Sequence, residues 1–264
     1  MSMETLIPNL ANSLMTPLKE CIGVSTGSVD ADTVSRLREK SFDFAPVLDV
    51  NGLVSVQHLK DLHERKSPLL LNDPHIRKDV LDEGAELEKL LMTMANEGPV
   101  LVTRTQTVIG LLTMSDLNKP ALRFVLYSQF ATLEMELANL ITRVYQDDIH
   151  WIDKLKEESQ VRVLGHYEQS KRKNVVVAHI VACTLTDLLN VAVATEKIRD
   201  FFGFKNRKEA EEKCFSLIAW RNSVMHPVKP MVTKPEDVGS MLRSVQKVRW
   251  LGAALDEELM PAER

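Results

Sequence analysis

The chain has 264 residues, 44% of them hydrophobic and 27% charged, with a formal net charge of −4. That balance describes a globular protein of one or two domains, long enough to bury a sizeable core without disulfides. The negative charge argues against bulk coating of nucleic acid, so any RNA contact has to come from local basic patches.

Cys21, Cys183 and Cys214 are odd in number, far apart and in no metal-ligand spacing, which points to a reducing cytoplasm. The first residues lack the basic and apolar regions of a signal peptide. The most apolar run, Val175 to Ala194, contains His179, Asp187 and Asn190 and reads as a buried helix, with no membrane span.

In chain order, Asp32 to Lys40 is helical and Phe44 to Leu48 reads as a strand. Asn51-Gly52 is a hairpin turn, Leu53 to Val56 the returning strand, and a short helix carries Asp61-Leu62. The order recurs: a helix over Ala85 to Ala95, a strand from Gly98 to Val102, its partner from Val108 to Leu112, and a short helix with Asp116-Leu117. Asp61 and Asp116 are 55 residues apart and Pro46 and Pro99 are 53 apart, which marks an internal repeat with a small insertion, over about 15–63 and 75–118.

The repeat resembles the tandem CBS domain pair, or Bateman module. Its strand-to-helix signature stands intact in the second copy as Gly110-Leu111-Leu112-Thr113-Met114-Ser115-Asp116-Leu117. The resemblance implies an α+β module that senses an adenine nucleotide (AMP, ADP, ATP or a relative) as a regulatory ligand. The threonine would meet phosphate or ribose, and the aspartate would take the two ribose hydroxyls. A carboxylate accepting two hydrogen bonds suits a diol. In the first copy Ser55 replaces the glycine and His58 the threonine, while Asp61 is kept. Nucleotide contacts are therefore expected from Thr113 and Asp116, with His58 and Asp61 as a departed first site. Thr113 and Asp116 also fit a plain capping pair, threonine at the cap and an acid three residues on.

After Asn118 the chain becomes helical. Leu122, Leu126, Phe130, Leu133, Leu137, Leu140, Ile141 and Val144 mark one long amphipathic helix. Further helix over Asp148 to Glu168 runs into the basic stretch Lys171-Arg172-Lys173. Leu185 to Ile198 lines another helix, stopped by Gly203. Arg207 to Met225 makes a fourth, ended by Pro227. Thr233 and Glu236 form a capping box for the last helix, with Pro235 in its first turn. Five helices with short connections predict an all-α bundle over 119–264, behind the α+β module of 1–118. Trp151, Trp220 and Trp250 are expected to pack it.

On the fourth helix, Cys214, Leu217, Ile218, Arg221 and Met225 share a face, so Arg221 sits on an apolar stripe. A guanidinium there needs a carboxylate, a phosphate or a partner chain. Phe215, Ala219, Asn222 and His226 form the neighbouring stripe, where Asn222 is one turn from His226 and able to orient its ring. Pro227 puts the imidazole at or past the last turn.

Arg221 to His226 resembles the R-x4-6-H motif of HEPN domains, helical bundles that include metal-independent endoribonucleases. The resemblance implies a homodimer with two such motifs facing one groove. The 2′-hydroxyl of an RNA substrate would attack the adjacent phosphodiester, leaving a 2′,3′-cyclic phosphate and a 5′-hydroxyl. His226 would be the general acid or base, Arg221 would steady the phosphate, and Asn222 would hold the imidazole. Lys171, Arg172, Lys173, Lys205, Arg207 and Lys208 would attract the RNA backbone, unless they are simply a solvated loop.

Two functions follow. One is a nucleotide-gated ribonuclease that needs no metal, a toxin or defence effector with an antitoxin or other protein partner. The other is a non-catalytic adenine-nucleotide sensor whose bundle serves dimerisation or docking. In the second, Arg221 is structural and pairs with a carboxylate such as Glu211 or Glu212.

Overall fold

A computed structural model describes residues 9–25, 31–48, 54–58, 80–146, 149–175 and 177–259. The chain divides into two compact units, Met1–Val125 with Pro230–Leu242 and Leu126–Lys229 with Arg243–Arg264.

The first unit is α+β. It contains α1 (Leu10–Leu14), β1 (Thr16–Pro17), β2 (Val24–Ser25), α2 (Ala31–Glu39), β3 (Phe44–Leu48) and β4 (Val54–His58). The second half of the order is β5 (Val80–Asp82), α3 (Leu87–Glu97), β6 (Val100–Arg104), β7 (Thr107–Leu112) and a 3-10 turn over Met114–Asn118. Two sheets form, in the orders β2-β3-β4 and β1-β7-β6-β5. In each, a short strand pairs parallel with the first strand of an antiparallel hairpin. The repeat is therefore visible as a strand, a helix and a hairpin built twice. The Asn51-Gly52 turn and the helix expected at Asp61-Leu62 lie outside the described residues.

The register revises one marker of that repeat. Val47 pairs with Ser55, and Val102 pairs with Gly110. With Ser55 and Gly110 equivalent, Val47 and Val102 are also 55 apart, so these paired positions need no insertion. Pro46 then corresponds to Leu101, and Pro99 lies just before β6. The 53-residue spacing of the prolines joins positions that are not equivalent.

Gly110 is required by the approach of β1. A Cβ there would sit 2.4 Å from Met15 Sδ and 2.7 Å from the Thr16 carbonyl oxygen. In the first copy, among the described residues, no strand pairs with β4 besides β3. Val56, Leu101 and Leu111 form one buried cluster that joins the two hairpins. A second cluster packs Leu37 of α2 on Val24, Ala45 and Val47. Each fully buried valine or leucine among them stabilises the unit by about 1.5–3 kcal/mol. Asn118 ties the segment before the last helix to this unit. Its amide donates to the Val232 carbonyl (2.8 Å) and its oxygen accepts from the amides of Met231 (2.6 Å) and Val232 (2.9 Å).

The remainder is mostly helical. Its elements are α4 (Pro120–Tyr145), a 3-10 turn His150–Lys154, α5 (Glu157–Arg172), a 3-10 turn His179–Ala182, α6 (Leu185–Ala194), α7 (Glu196–Phe201), α8 (Arg207–Cys214), α9 (Ser216–Met225) and α10 (Pro235–Leu259). The heptad-like residues of α4 are buried from Leu122 to Ile141. Among the described residues no helix is long and apolar enough to cross a membrane.

Four sequence expectations change here. The single helix expected over Val175 to Ala194 is a 3-10 turn, His179–Ala182, followed by α6 from Leu185. The helix through Leu185 and Ile198 breaks at Thr195. There the backbone turns extended (φ −94°, ψ 115°) after the Thr195 amide has donated to the Val191 carbonyl (3.0 Å); the Thr195 hydroxyl donates to that same carbonyl (2.7 Å) and lies 2.8 Å from the Tyr145 hydroxyl. The helix expected over Arg207 to Met225 is two, jointed at Phe215. The backbone there stays helical (φ −70°, ψ −21°), but the next turn tightens as the Ile218 amide donates to the Phe215 carbonyl at 3.2 Å. The cap of α10 uses Asp237 rather than Glu236. Asp237 Oδ2 accepts from the amides of Thr233 (2.9 Å) and Lys234 (3.1 Å) and from the Thr233 hydroxyl (2.9 Å).

Candidate functional site

Strand β7 ends at Leu112, and Thr113 follows in an extended conformation before the 3-10 turn. That geometry folds the Asp116 carboxylate back over the strand end. Asp116 is only 5% exposed, and both of its oxygens are engaged. Oδ2 accepts from the Thr113 amide (2.7 Å) and the Thr113 hydroxyl (2.8 Å). Oδ1 accepts from the Thr16 hydroxyl (3.3 Å) and is ion-paired with Lys119 Nζ (2.7 Å). Lys119 also donates to the carbonyls of Leu14 (2.5 Å) and Met15 (3.2 Å). The capping arrangement of Thr113 and Asp116 is therefore present, and it is closed by two residues that sequence reasoning did not select. Lys119, three residues after Asp116, was legible in principle; Thr16, a hundred residues earlier, carried no signal.

In the first copy, His58 occupies the last position of β4, opposite Phe44. Asp61 lies outside the described residues.

In the helical unit, α9 buries Leu217 and Val224, with Cys214 at the end of α8 completing the stripe. Arg221 falls on that stripe, half-buried, as its spacing requires. Its partner is Glu134 of α4, Nε to Oε1 at 3.0 Å, with both side chains 24% exposed. The two glutamates named from sequence are taken elsewhere, Glu211 by Arg207 (2.9 Å) and Glu212 by Lys208 (4.0 Å). Glu134 is 87 residues from Arg221, a pairing that only the helix packing brings about. Asn222 and His226 are both exposed, one turn apart. His226 is the cap residue after Met225 (φ −103°, ψ 86°), and its carbonyl accepts from the Lys229 amide at 3.1 Å. Arg221, Asn222 and His226 thus lie within the last two turns of one helix.

The basic candidates separate into two groups. Lys171, Arg172 and Lys173 are exposed at the end of α5. Lys205, Arg207 and Lys208 are exposed as well, but Arg207 and Lys208 carry glutamate partners, and the Lys205 amide donates to Glu209 (2.8 Å). That second cluster is a mixed-charge helix start. Of the tryptophans, Trp151 is buried at 1% and Trp250 is 41% exposed, so Trp250 is not the packed residue expected of it. Among the described residues no group of three or more His, Cys, Asp or Glu is placed to hold a metal ion.

The chain is similar to several solved CBS-domain structures. They include the CBS domain of a bacterial CNNM/CorC family Mg2+ transporter in complex with ATP, at 18% identity and a TM-score of 0.35, over 44% of this chain and 86% of that one. The CBS domains of a transcriptional regulator from Streptococcus pneumoniae are similar at 18% identity and a TM-score of 0.36, over 42% and 97%. A CBS domain protein from Shewanella oneidensis MR-1 gives 18% identity and 0.34, over 40% and 92%. These are weak likenesses, and none carries a function over to this chain. No protein-family model matches the chain. No curated protein matches it either.

Proposed function

We propose that the protein is a nucleotide-responsive regulator whose α+β unit takes an adenine nucleotide at Thr113 and Asp116. The donor cage around the Asp116 carboxylate carries this reading. On Oδ1 the cage consists of a hydroxyl from Thr16 and an ammonium from Lys119. A ribose diol offers two hydroxyl donors, so it can take the place of that hydroxyl and ammonium and keep the carboxylate hydrogen-bonded. Lys119, 37% exposed at its side chain, is then released to meet a phosphate. The preference for adenine rests on the resemblance of the repeat to the Bateman module. Lys119 immediately precedes Pro120, the first residue of α4, which gives ligand exchange a direct mechanical consequence. Thermal stability of the full chain with AMP, ADP and ATP, in wild type and Asp116→Asn, tests the proposal. A shift in wild type that the variant loses supports it; equal behaviour of the two refutes it.

A second reading, metal-independent ribonuclease, is favoured by the exposure of His226 and Asn222 beside Arg221. The Glu134 pair occupies Nε of Arg221 and leaves its terminal nitrogens for a phosphate. In this reading the protein is a cytoplasmic homodimer that joins two motifs in one groove, acts on RNA, and is restrained by an antitoxin or other protein partner. Cleavage of RNA in EDTA by wild type, and its loss in His226→Ala, is the test. Absence of cleavage leaves the helical unit as a dimerisation or docking element.

A further inference from the structure

The helical unit carries a second cluster of cations, away from the Arg221–Glu134 pair. A cleft of about 370 Å³ is lined by Lys213 and Cys214 of α8 and by Arg243, Gln246, Lys247, Trp250 and Leu251 of α10. Among the described residues no carboxylate lines it. Arg243, Lys247 and Trp250 follow at four and three residues, so one face of α10 presents two cations and an indole. Lys213 stands at the other wall, 5.5 Å from the Trp250 ring centre and 5.6 Å from that of Phe204.

The cations are not equivalent. Lys213 is neutralised by Glu209 at 2.8 Å. Lys247 donates only to the Ser216 hydroxyl (2.7 Å), and among the described residues neither it nor Arg243 has a carboxylate partner. Trp250 is braced edge-on by Phe204, with ring centres 5.5 Å apart, yet remains 41% exposed. A rigid aromatic surface beside two uncompensated cations is the chemistry that holds a base and its flanking phosphates.

We infer that this cleft binds a segment of single-stranded RNA, a base lying on Trp250 and adjacent phosphates on Arg243 and Lys247. The inference rests on the RNA reading for its choice of ligand, but it concerns binding and not cleavage. It also replaces Lys205, Arg207 and Lys208 as the expected RNA contacts, because two of those three are spent on glutamates.

Fluorescence anisotropy of a labelled 12-nucleotide single-stranded RNA with the full chain, at several salt concentrations, tests it. Arg243→Ala/Lys247→Ala is expected to weaken binding at least about tenfold and to reduce the slope of log K against log salt by about 1.4, two phosphate contacts at about 0.7 each. Trp250→Leu is expected to weaken it roughly 5- to 100-fold. A wild type that binds the 12-mer without cleaving it sinks only the ribonuclease reading and leaves this inference standing. Unchanged circular dichroism and melting of the variants exclude unfolding. Wild-type affinity in the double variant overturns the inference, as does failure of the wild type to bind. Displacement of the 12-mer by UMP at equal concentration overturns the assignment to an RNA strand.

Discussion

Arg221 of α9 and Glu134 of α4 meet Nε to Oε1 at 3.0 Å, each about three-quarters removed from solvent. A guanidinium on an apolar stripe is tolerated because this carboxylate meets it there. A double-mutant cycle with Arg221→Met and Glu134→Gln, read by chemical denaturation, is expected to give a coupling of roughly 0.5–1.5 kcal/mol, since partial exposure screens the pair. Zero coupling would mean the contact is incidental.

At Gly110, Met15 Sδ and the Thr16 carbonyl lie inside the space of a Cβ. Gly110→Val is expected to destabilise by about 1–3 kcal/mol and to expose amides of β1 and β7 to hydrogen exchange.

Burial pushes all three thiols up, Cys21 to about 11, Cys183 to about 12 and Cys214 to about 11. An ordinary thiol is about one-tenth ionised at pH 7.5, and these are lower by roughly three orders of magnitude. Labelling with a thiol reagent at pH 7.5 is expected to be slow in the folded protein and to become fast only on unfolding. Rapid labelling of one cysteine in native protein would contradict its burial.

Asp187 anchors the start of α6. Burial pushes its carboxyl up, but hydrogen bonds from Ser159 and from the Thr184 hydroxyl and amide, with Arg162 beside it, outweigh burial and hold it below the usual range. A carboxylate lowered on folding contributes stability above its unfolded value, near 3.8, and loses it as pH falls through the folded one. The advantage of wild type over Asp187→Asn is therefore expected to be full at pH 6–7, to begin to fall only near about pH 4, and to vanish in stronger acid once pH drops through the lowered folded value. An equal gap at both pH values would assign it to packing rather than charge.

The strand–helix–hairpin repeat was legible because alternating apolar residues and the Thr113–Asp116 spacing are local signals. Long α4 was legible for the same reason, its stripe running unbroken from Leu122 to Ile141. The joints at Thr195 and Phe215 were not. Apolar periodicity continues across both, and what marks the joint is an extended backbone at Thr195 in one case and a tightened turn in the other. The site residues divide likewise. The half-burial of Arg221 followed from its register, whereas Glu134 and Thr16 come from distant sequence and needed the packing. Arg243, Lys247 and Trp250 had helical spacing on view, but their value lies in the wall supplied by Lys213, which spacing within α10 does not reveal.

The most direct test of the account is the melting temperature of the full chain with and without saturating adenine nucleotide. At a hundredfold excess over Kd, ligand stabilises by about 2.7 kcal/mol, a rise of roughly 5 °C for a chain of this size. The account predicts that rise in wild type with at least one of AMP, ADP or ATP, and its loss in Asp116→Asn. No rise with any of the three, or the same rise in the variant, would contradict it.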